Sequence, residues 1–185
     1  MQTPAQIPET LFFDDEPLLM CTTPLAPWLK QRRIELRTEK TSDRCLRRYL
    51  GNWELHRAHL YLVSLRPFGG RGVVLGTEGN GTAEFSLHGL FPDSHGPVCA
   101  LWFCGQLCCP IGQILSYRDA GYGPVYERDM LVDVAHGRVE RIVFRNNDVE
   151  PLCVTVAPDA WPADDAPRVL PAMPSPRAAE GVPLR

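Results

Sequence analysis

The stretch Tyr49-Leu50-Gly51-Asn52-Trp53-Glu54-Leu55-His56-Arg57-Ala58-His59-Leu60-Tyr61-Leu62-Val63 decides the fold of this chain. Its two arms, Tyr49–Leu55 and Leu60–Val63, are made of the aromatic and aliphatic residues that fit a pleated, half-buried surface. Between them His56-Arg57-Ala58-His59 leaves room only for a turn, so the segment reads as a β-hairpin. The same grammar recurs on either side. Val98–Tyr117 offers two arms around Pro110-Ile111-Gly112-Gln113, and Met130–Phe144 offers two around Ala135-His136-Gly137-Arg138. Aligning the first two hairpins puts Gly51 on Gly105, Trp53 on Leu107 and Leu60 on Ile114, a match that shared hairpin grammar explains without a repeat.

Outward from these hairpins the chain stays β-like. Six glycines fall between Gly69 and Gly81, which marks Phe68–Leu90 as a stretch of turns and short strands. Within it Val73-Val74-Leu75 and Thr82–Leu87 bracket Glu78-Gly79-Asn80-Gly81, whose Asn-Gly pair is a tight-turn signal. Arg33, Glu35, Arg37 and Glu39 alternate with Ile34, Leu36 and Thr38, the period of two of a half-exposed strand. Pro24 and Pro27 break Leu18–Trp28 and favour an extended edge segment. The best helical candidate, Pro27–Arg33, is short. The expected fold is mainly β: a single antiparallel domain built of hairpins, as a roll, barrel or sandwich, over residues 11–157. Residues 1–10 read as a flexible N-terminal arm and 158–185 as a disordered Pro/Ala-rich tail, too poor in large apolar groups to offset its ordering entropy. The expected core is Leu36, Trp53, Leu55, Leu60, Leu62, Val74, Phe85, Leu87, Leu101, Phe103, Leu107, Ile114, Val132, Val134, Ile142 and Phe144.

Composition bounds the function. At 185 residues, 44% apolar and 22% charged, the chain has the make-up of one globular domain that needs no staples. A net charge of −3 excludes a molecule built as a whole to hold polyanions. Met1–Glu16 lacks the basic start and apolar run of a secretory signal, and no stretch reaches the 18 apolar residues of a membrane span. The expected setting is therefore the cytoplasm, without a membrane partner. The seven cysteines are odd in number and irregular in spacing, which reads as reduced thiols.

Several motifs dissolve under their own chemistry. Gly69-Gly70-Arg71-Gly72 lacks the Lys-Ser/Thr and the helix that a phosphate loop needs. Cys104 and Cys108 share a strand face about 13 Å apart, too far for one zinc ion, although Cys99 with His88 and His95 is a conceivable site. His56 and His59 flank a turn. Cys104, His88 and Asp93 assemble on paper into a nucleophilic set, but Cys104 sits in an apolar run where a thiol is inert. No catalytic residue, metal or cofactor is assigned. Gly121-Tyr122-Gly123-Pro124-Val125-Tyr126-Glu127-Arg128-Asp129 stands out, because Tyr and Arg anchor binding sites at low entropic cost.

Cys45-Leu46-Arg47-Arg48-Tyr49, Gly51-Asn52-Trp53-Glu54-Leu55, Leu60-Tyr61-Leu62, Leu90-Phe91-Pro92, Trp102-Phe103-Cys104-Gly105 and Gly121–Glu127 together resemble the motifs of a family of bacterial proteins of no known activity. That family reads Cys-Trp-Arg-Gly-Tyr, Gly-Thr-Trp-Glu-Ile, Leu-Tyr-Leu, Leu-Phe-Pro, Trp-Phe-x-Gly and Gly-Tyr-x-x-x-Tyr-Glu. Leu46, Arg48 and Asn52 stand here where the family has Trp, Gly and Thr. The resemblance implies no chemistry; it brings an association with contact-dependent toxin genes. The leading expectation is thus a non-catalytic protein-binding domain, such as an immunity protein against a toxin, with Tyr122, Tyr126, Glu127, Arg128, Asp129, Arg47 and Arg48 as its contact face. The alternatives are a small-molecule binder or enzyme with its site in the mouth of the β-structure, and nucleic-acid binding through the arginines of residues 32–48.

Overall fold

The computed structural model describes residues 4–77, 81–117, 121–147 and 154–156. The protein is mainly β. The expected Asn80-Gly81 turn lies partly, and the expected tail and Cys153 wholly, outside the described residues. Three two-residue turns build the large sheet. Asp14-Asp15 joins β1 (Glu9–Phe13) to β2 (Glu16–Met20), Arg57-Ala58 joins β4 (Tyr49–His56) to β5 (His59–Pro67), and His136-Gly137 joins β10 (Val125–Ala135) to β11 (Arg138–Asn146). Both residues of each turn have positive φ, as low as 47° at Arg57 and as high as 78° at Gly137. That is the backbone of type I′ turns, whose twist matches the strands they join. Gly137 has no Cβ to resist it and aspartate tolerates it, while Arg57 and Ala58 hold it at a cost of about 1–2 kcal/mol each.

In space the large sheet runs β2-β1-β4-β5-β11-β10-β9, where β9 is Gly105–Ser116. The short strands β8 (Val98–Cys99) and β12 (Val154–Val156) attach to β5 and β11. β1 and β4 pair in parallel, so the sheet is mixed rather than purely antiparallel. Parallel neighbours need a long crossover. The crossover carries β2, helix α1 (Ala26–Gln31) and β3 (Glu35–Thr38). The two ends of the path then meet: Cys21 N donates to Cys108 O at 2.8 Å and Cys108 N donates to Thr22 Oγ1 at 3.0 Å. The sheet is thereby rolled round a single core, as a barrel. A second sheet, β3-β6-β7, with β6 at Gly72–Thr77 and β7 at Gly81–Glu84, stands beside it and leads into the single turn of α2 (Leu87–Leu90).

Bulges set which residues face inward. Val63 is looped out between Leu62, opposite Trp53, and Ser64, opposite Asn52. One extra residue shifts the side-chain phase, so Leu62 and Leu65 both point to the core. Glu140 does the same for Val139 and Ile142. Trp53, Leu11, Leu60, Leu107 and Val132 fill the centre and are fully buried.

Four expectations are corrected. Val98–Tyr117 is not a hairpin: β9 runs straight through Pro110–Gln113 as one strand of 12 residues, bent by bulges against β10. Leu101 (63% exposed) sits in the turn whose ends, Ala100 and Phe103, take the interior, and Ile114 (40%) lies on the exposed end of β9. Leu87 and Phe144 only pack against the core from outside. The segment read as an arm is tied down: Gln6 N donates to Gly121 O at 2.7 Å and Ile7 N to Arg44 O at 2.8 Å, and β1 starts at Glu9.

Gly137 supplies the first test. Its φ is 78°, and an added Cβ would lie 2.9 Å from the Ala100 backbone. Gly137→Ala is expected to lower the unfolding free energy by about 1–3 kcal/mol in urea titrations.

Candidate functional site

The loop singled out in the sequence is used by the sheet itself. Only Gly121–Pro124 is loop; Tyr126, Glu127, Arg128 and Asp129 lie in β10, all partly or wholly buried. At the bend of β9, Gly112 and Gln113 together oppose Glu127, the two-against-one count of a bulge. The Glu127 carboxylate closes it by accepting from Gln113 N at 3.0 Å. Gly112, at φ 92°, leaves the space that this carboxylate occupies. Asp129 is 8% exposed and holds Arg145 Nη2 at 2.7 Å and Asn147 Nδ2 at 3.0 Å. Arg48 is a turn residue at φ 65°. Its carbonyl accepts from Phe68 N at 2.8 Å.

Arg47 and Tyr122 do come together, around a residue the sequence reading missed. Glu9 and Leu11 alternate with Thr10 along β1, so the Glu9 side chain enters the barrel. Its carboxylate accepts from the Trp53 indole at 2.5 Å and meets Arg47 Nε at 3.0 Å. Glu9 has no exposed side chain and Arg47 only 9%. Arg47 also donates to Ile7 O at 2.7 Å and lies 5.7 Å from the Tyr49 ring centre. Gly51 makes the bond possible, because a Cβ there would lie 2.6 Å from the Glu9 carboxylate and 2.7 Å from the Trp53 nitrogen. Burial pushes Glu9 up to about 7, against the pull of Trp53, Arg47 and the Gly51 backbone. Burial also raises the Tyr122 phenol, which feels Arg47 and Glu9. A carboxyl poised near neutrality beside a phenol is the composition of an acid–base pair. Here one oxygen accepts from Trp53, the other faces Arg47 as an ion pair without a formed hydrogen bond, and the side chain is wholly buried.

Two predictions follow from its chemistry. Glu9 binds its proton more tightly folded than unfolded, where about 4.5 applies. The associated stability is complete below that value and is lost as pH rises through about 7. Unfolding free energy should therefore fall by up to about 3 kcal/mol across that window, and Glu9→Gln should flatten the slope in pH-dependent melts. The Tyr49 hydroxyl is buried and has no hydrogen-bond partner among the described residues. Tyr49→Phe is expected to be neutral or to add up to about 1 kcal/mol, because an unsatisfied buried hydroxyl costs stability. A clear loss of melting temperature would contradict that.

The open concavity lies elsewhere. α1, β6, β7, α2 and the residues after it, up to β8, enclose a cleft of about 1110 Å3. Trp28 and Phe91 form its aromatic wall, with ring centres 4.6 Å apart. Trp102 backs them, stacked on Phe91 at 5.5 Å and 15°, and is itself fixed by its indole donating to Pro24 O at 3.0 Å. Arg32 covers part of Trp28, its guanidinium 5.1 Å from the ring centre. Glu84, His88 and Asp93 are exposed and line the cleft. The wall is precise because its supports are. Ser86 Oγ caps α2 by accepting from Gly89 N at 3.0 Å. Gly89 is required because any Cβ would strike the Glu84 carbonyl. Leu90-Phe91-Pro92 and Trp102-Phe103, two motifs of the sequence resemblance, thus build one surface.

The remaining candidates are dispersed. Cys104 is exposed, not buried, and accepts from His136 N at 3.2 Å, so it is occupied away from the His88 and Asp93 of the cleft. Burial pushes Cys21 up to about 12 and raises Cys99, Cys108 and Cys109, the state of unreactive thiols. Among the described residues no group of three His, Cys, Asp or Glu side chains could hold a metal ion. Three of the arginines are already engaged: Arg32 lies on Trp28, Arg37 pairs with Glu35 at 3.1 Å, and Arg47 is buried on Glu9. Among the described residues no helix is long and apolar enough to cross a membrane. Comparisons with protein-family models, with curated proteins and with solved structures find no match to this chain.

Proposed function

We propose that this protein is a non-catalytic binding domain that takes an extended peptide segment of a protein partner in the cleft of Trp28 and Phe91. The observation that carries this reading is the partly exposed Phe91 ring, packed against Trp28, in an open cleft that the exposed carboxylates of Glu84 and Asp93 also line. Small-molecule sites have about 300–1,000 Å3 and enclose their ligand. This cleft is larger and open, which suits a length of chain. Aromatic-lined grooves recognise proline-rich segments, whose polyproline II shape is adopted beforehand at low entropic cost. Glu84 and Asp93 favour a ligand that also carries Arg or Lys. The reading keeps protein binding, as expected from the sequence, and moves the contact surface from Tyr122–Asp129 to the cleft.

The test is selection from a displayed library of random 12-residue peptides against the full chain, followed by titration calorimetry. The selected peptides should be rich in proline and arginine. Phe91→Ala should weaken them at least tenfold, about 1.4 kcal/mol, and Glu84→Lys with Asp93→Lys should remove the preference for arginine. Circular dichroism melts report whether the variants stay folded. Peptides that bind folded Phe91→Ala and the double variant with unchanged Kd would sink the proposal.

A further inference from the structure

We propose that the segment Arg168–Arg177 of this same chain docks in the cleft of Trp28 and Phe91 and competes there with the partner's segment. The inference rests on the cleft being a peptide site. The segment reads Arg168-Val169-Leu170-Pro171-Ala172-Met173-Pro174-Ser175-Pro176-Arg177. Polyproline II repeats every three residues. On that repeat Arg168, Pro171, Pro174 and Arg177 share one edge, and Leu170, Met173 and Pro176 share the next. The segment therefore presents proline rings and large apolar groups to an aromatic wall, between two positive ends. No other part of the sequence combines this spacing with this charge. The cleft offers the complement, with the partly exposed Phe91, backed by the buried Trp28, for the rings and Glu84 and Asp93 for the guanidinium groups.

Reach and concentration both permit the contact. β12 ends at Val156, so Arg168 stands 12 residues further along the chain. In polyproline II those residues span about 37 Å. A domain of about 150 residues has a radius of gyration of about 15 Å, so that span, followed around the surface, covers the greater part of it. A segment tethered this closely has an effective concentration on the order of millimolar. Even an affinity of about 100 μM, weak for a separate peptide, then leaves the cleft mostly occupied by its own chain. A partner must displace it, and its apparent affinity is lowered by the free fraction.

The test uses the full chain and changes only the segment. Pro171→Ala with Pro174→Ala, and separately Arg168→Glu with Arg177→Glu, change none of the described residues, and circular dichroism melts check that the domain stays folded. Nitrogen-15 spectra report the Trp28 indole and the His88–Ser94 amides, with the Trp53 indole as an internal control. Both variants should shift the Trp28 and His88–Ser94 signals and leave Trp53 in place. A synthetic peptide of residues 166–178, titrated into the proline variant, should restore the original positions. The same variant should bind a peptide selected from the displayed library about tenfold tighter than the unaltered chain does. Identical Trp28 and His88–Ser94 signals in all three chains would overturn the proposal. If a selected peptide still shifted those signals, the cleft would remain a peptide site and only its occupation by the segment would fall. If it did not, both readings would fall together. Shifts that grow with protein concentration, alongside dimers in sedimentation, would assign the occupant to a second copy and overturn the intramolecular form.

Discussion

The buried carboxylate of Glu9 is the constraint on which the barrel depends. It cannot be left alone in the core, because an unpaired buried charge costs several kcal/mol. Trp53 and Arg47 meet it from β4 and from the turn before it. Those two contacts hold β1 in the parallel register that sets Leu11 beside Trp53. A slip of one residue would turn Glu9 outward and Thr10 inward, and would bury a hydroxyl where the pair now stands. Gly51 belongs to the same constraint, since any larger residue would fill the space between the carboxylate and the indole. The cluster also ties residues 6–8 to the domain, through Arg47 on the Ile7 carbonyl.

The cleft is a consequence of that parallel pair. A chain that returns to lie parallel to its first strand must cross over, and here the crossover is long enough to carry α1 and β3. β3 recruits β6 and β7 into the small sheet, and α1 turns Trp28 toward the residues after α2. The barrel provides the rigid floor through Trp102, which stands between Ala100 and Phe103 in the turn entering β9. The aromatic wall is thus assembled from three distant parts of the chain on a closed scaffold.

This origin explains what the sequence disclosed and what it withheld. Hairpins were legible where local chemistry decides: the arms around Arg57-Ala58 and His136-Gly137 are strand-forming and their turns are short. The course of β9 is hidden in the sequence because Pro110 and Gly112 signal a turn locally. Here Pro110 is accommodated within the strand and the positive φ of Gly112 serves a bulge closed by Glu127. That carboxylate is fifteen residues away, and no local pattern announces it. Glu9 was passed over for a similar reason. A lone acid near the start of a chain reads as solvated, and only its distant partners, Trp53 and Arg47, make burial tolerable. Phe91 and Trp102 carry no local signal of a shared surface, and their meeting with Trp28 depends on the crossover.

Arg32 refines how the aromatic wall works. Its guanidinium sits over Trp28, where a cation–π contact at an exposed site is worth about 0.5–1 kcal/mol. Trp28 is itself buried, so the partly exposed Phe91 is the ring that the cleft offers. In the proposed reading Phe91 is therefore the anchor and Trp28 its support. On the same reading a ligand's own arginine can take the place of Arg32 over Trp28 and keep the cation–π contact. A ligand with only apolar groups cannot. The carboxylates of Glu84 and Asp93 act in the same direction, since they favour the incoming guanidinium and gain nothing from a neutral segment. In the proposed reading, selectivity for a basic, proline-bearing chain comes from two separate sources in one cleft, contact with the Phe91 ring and exchange of one cation for another over Trp28.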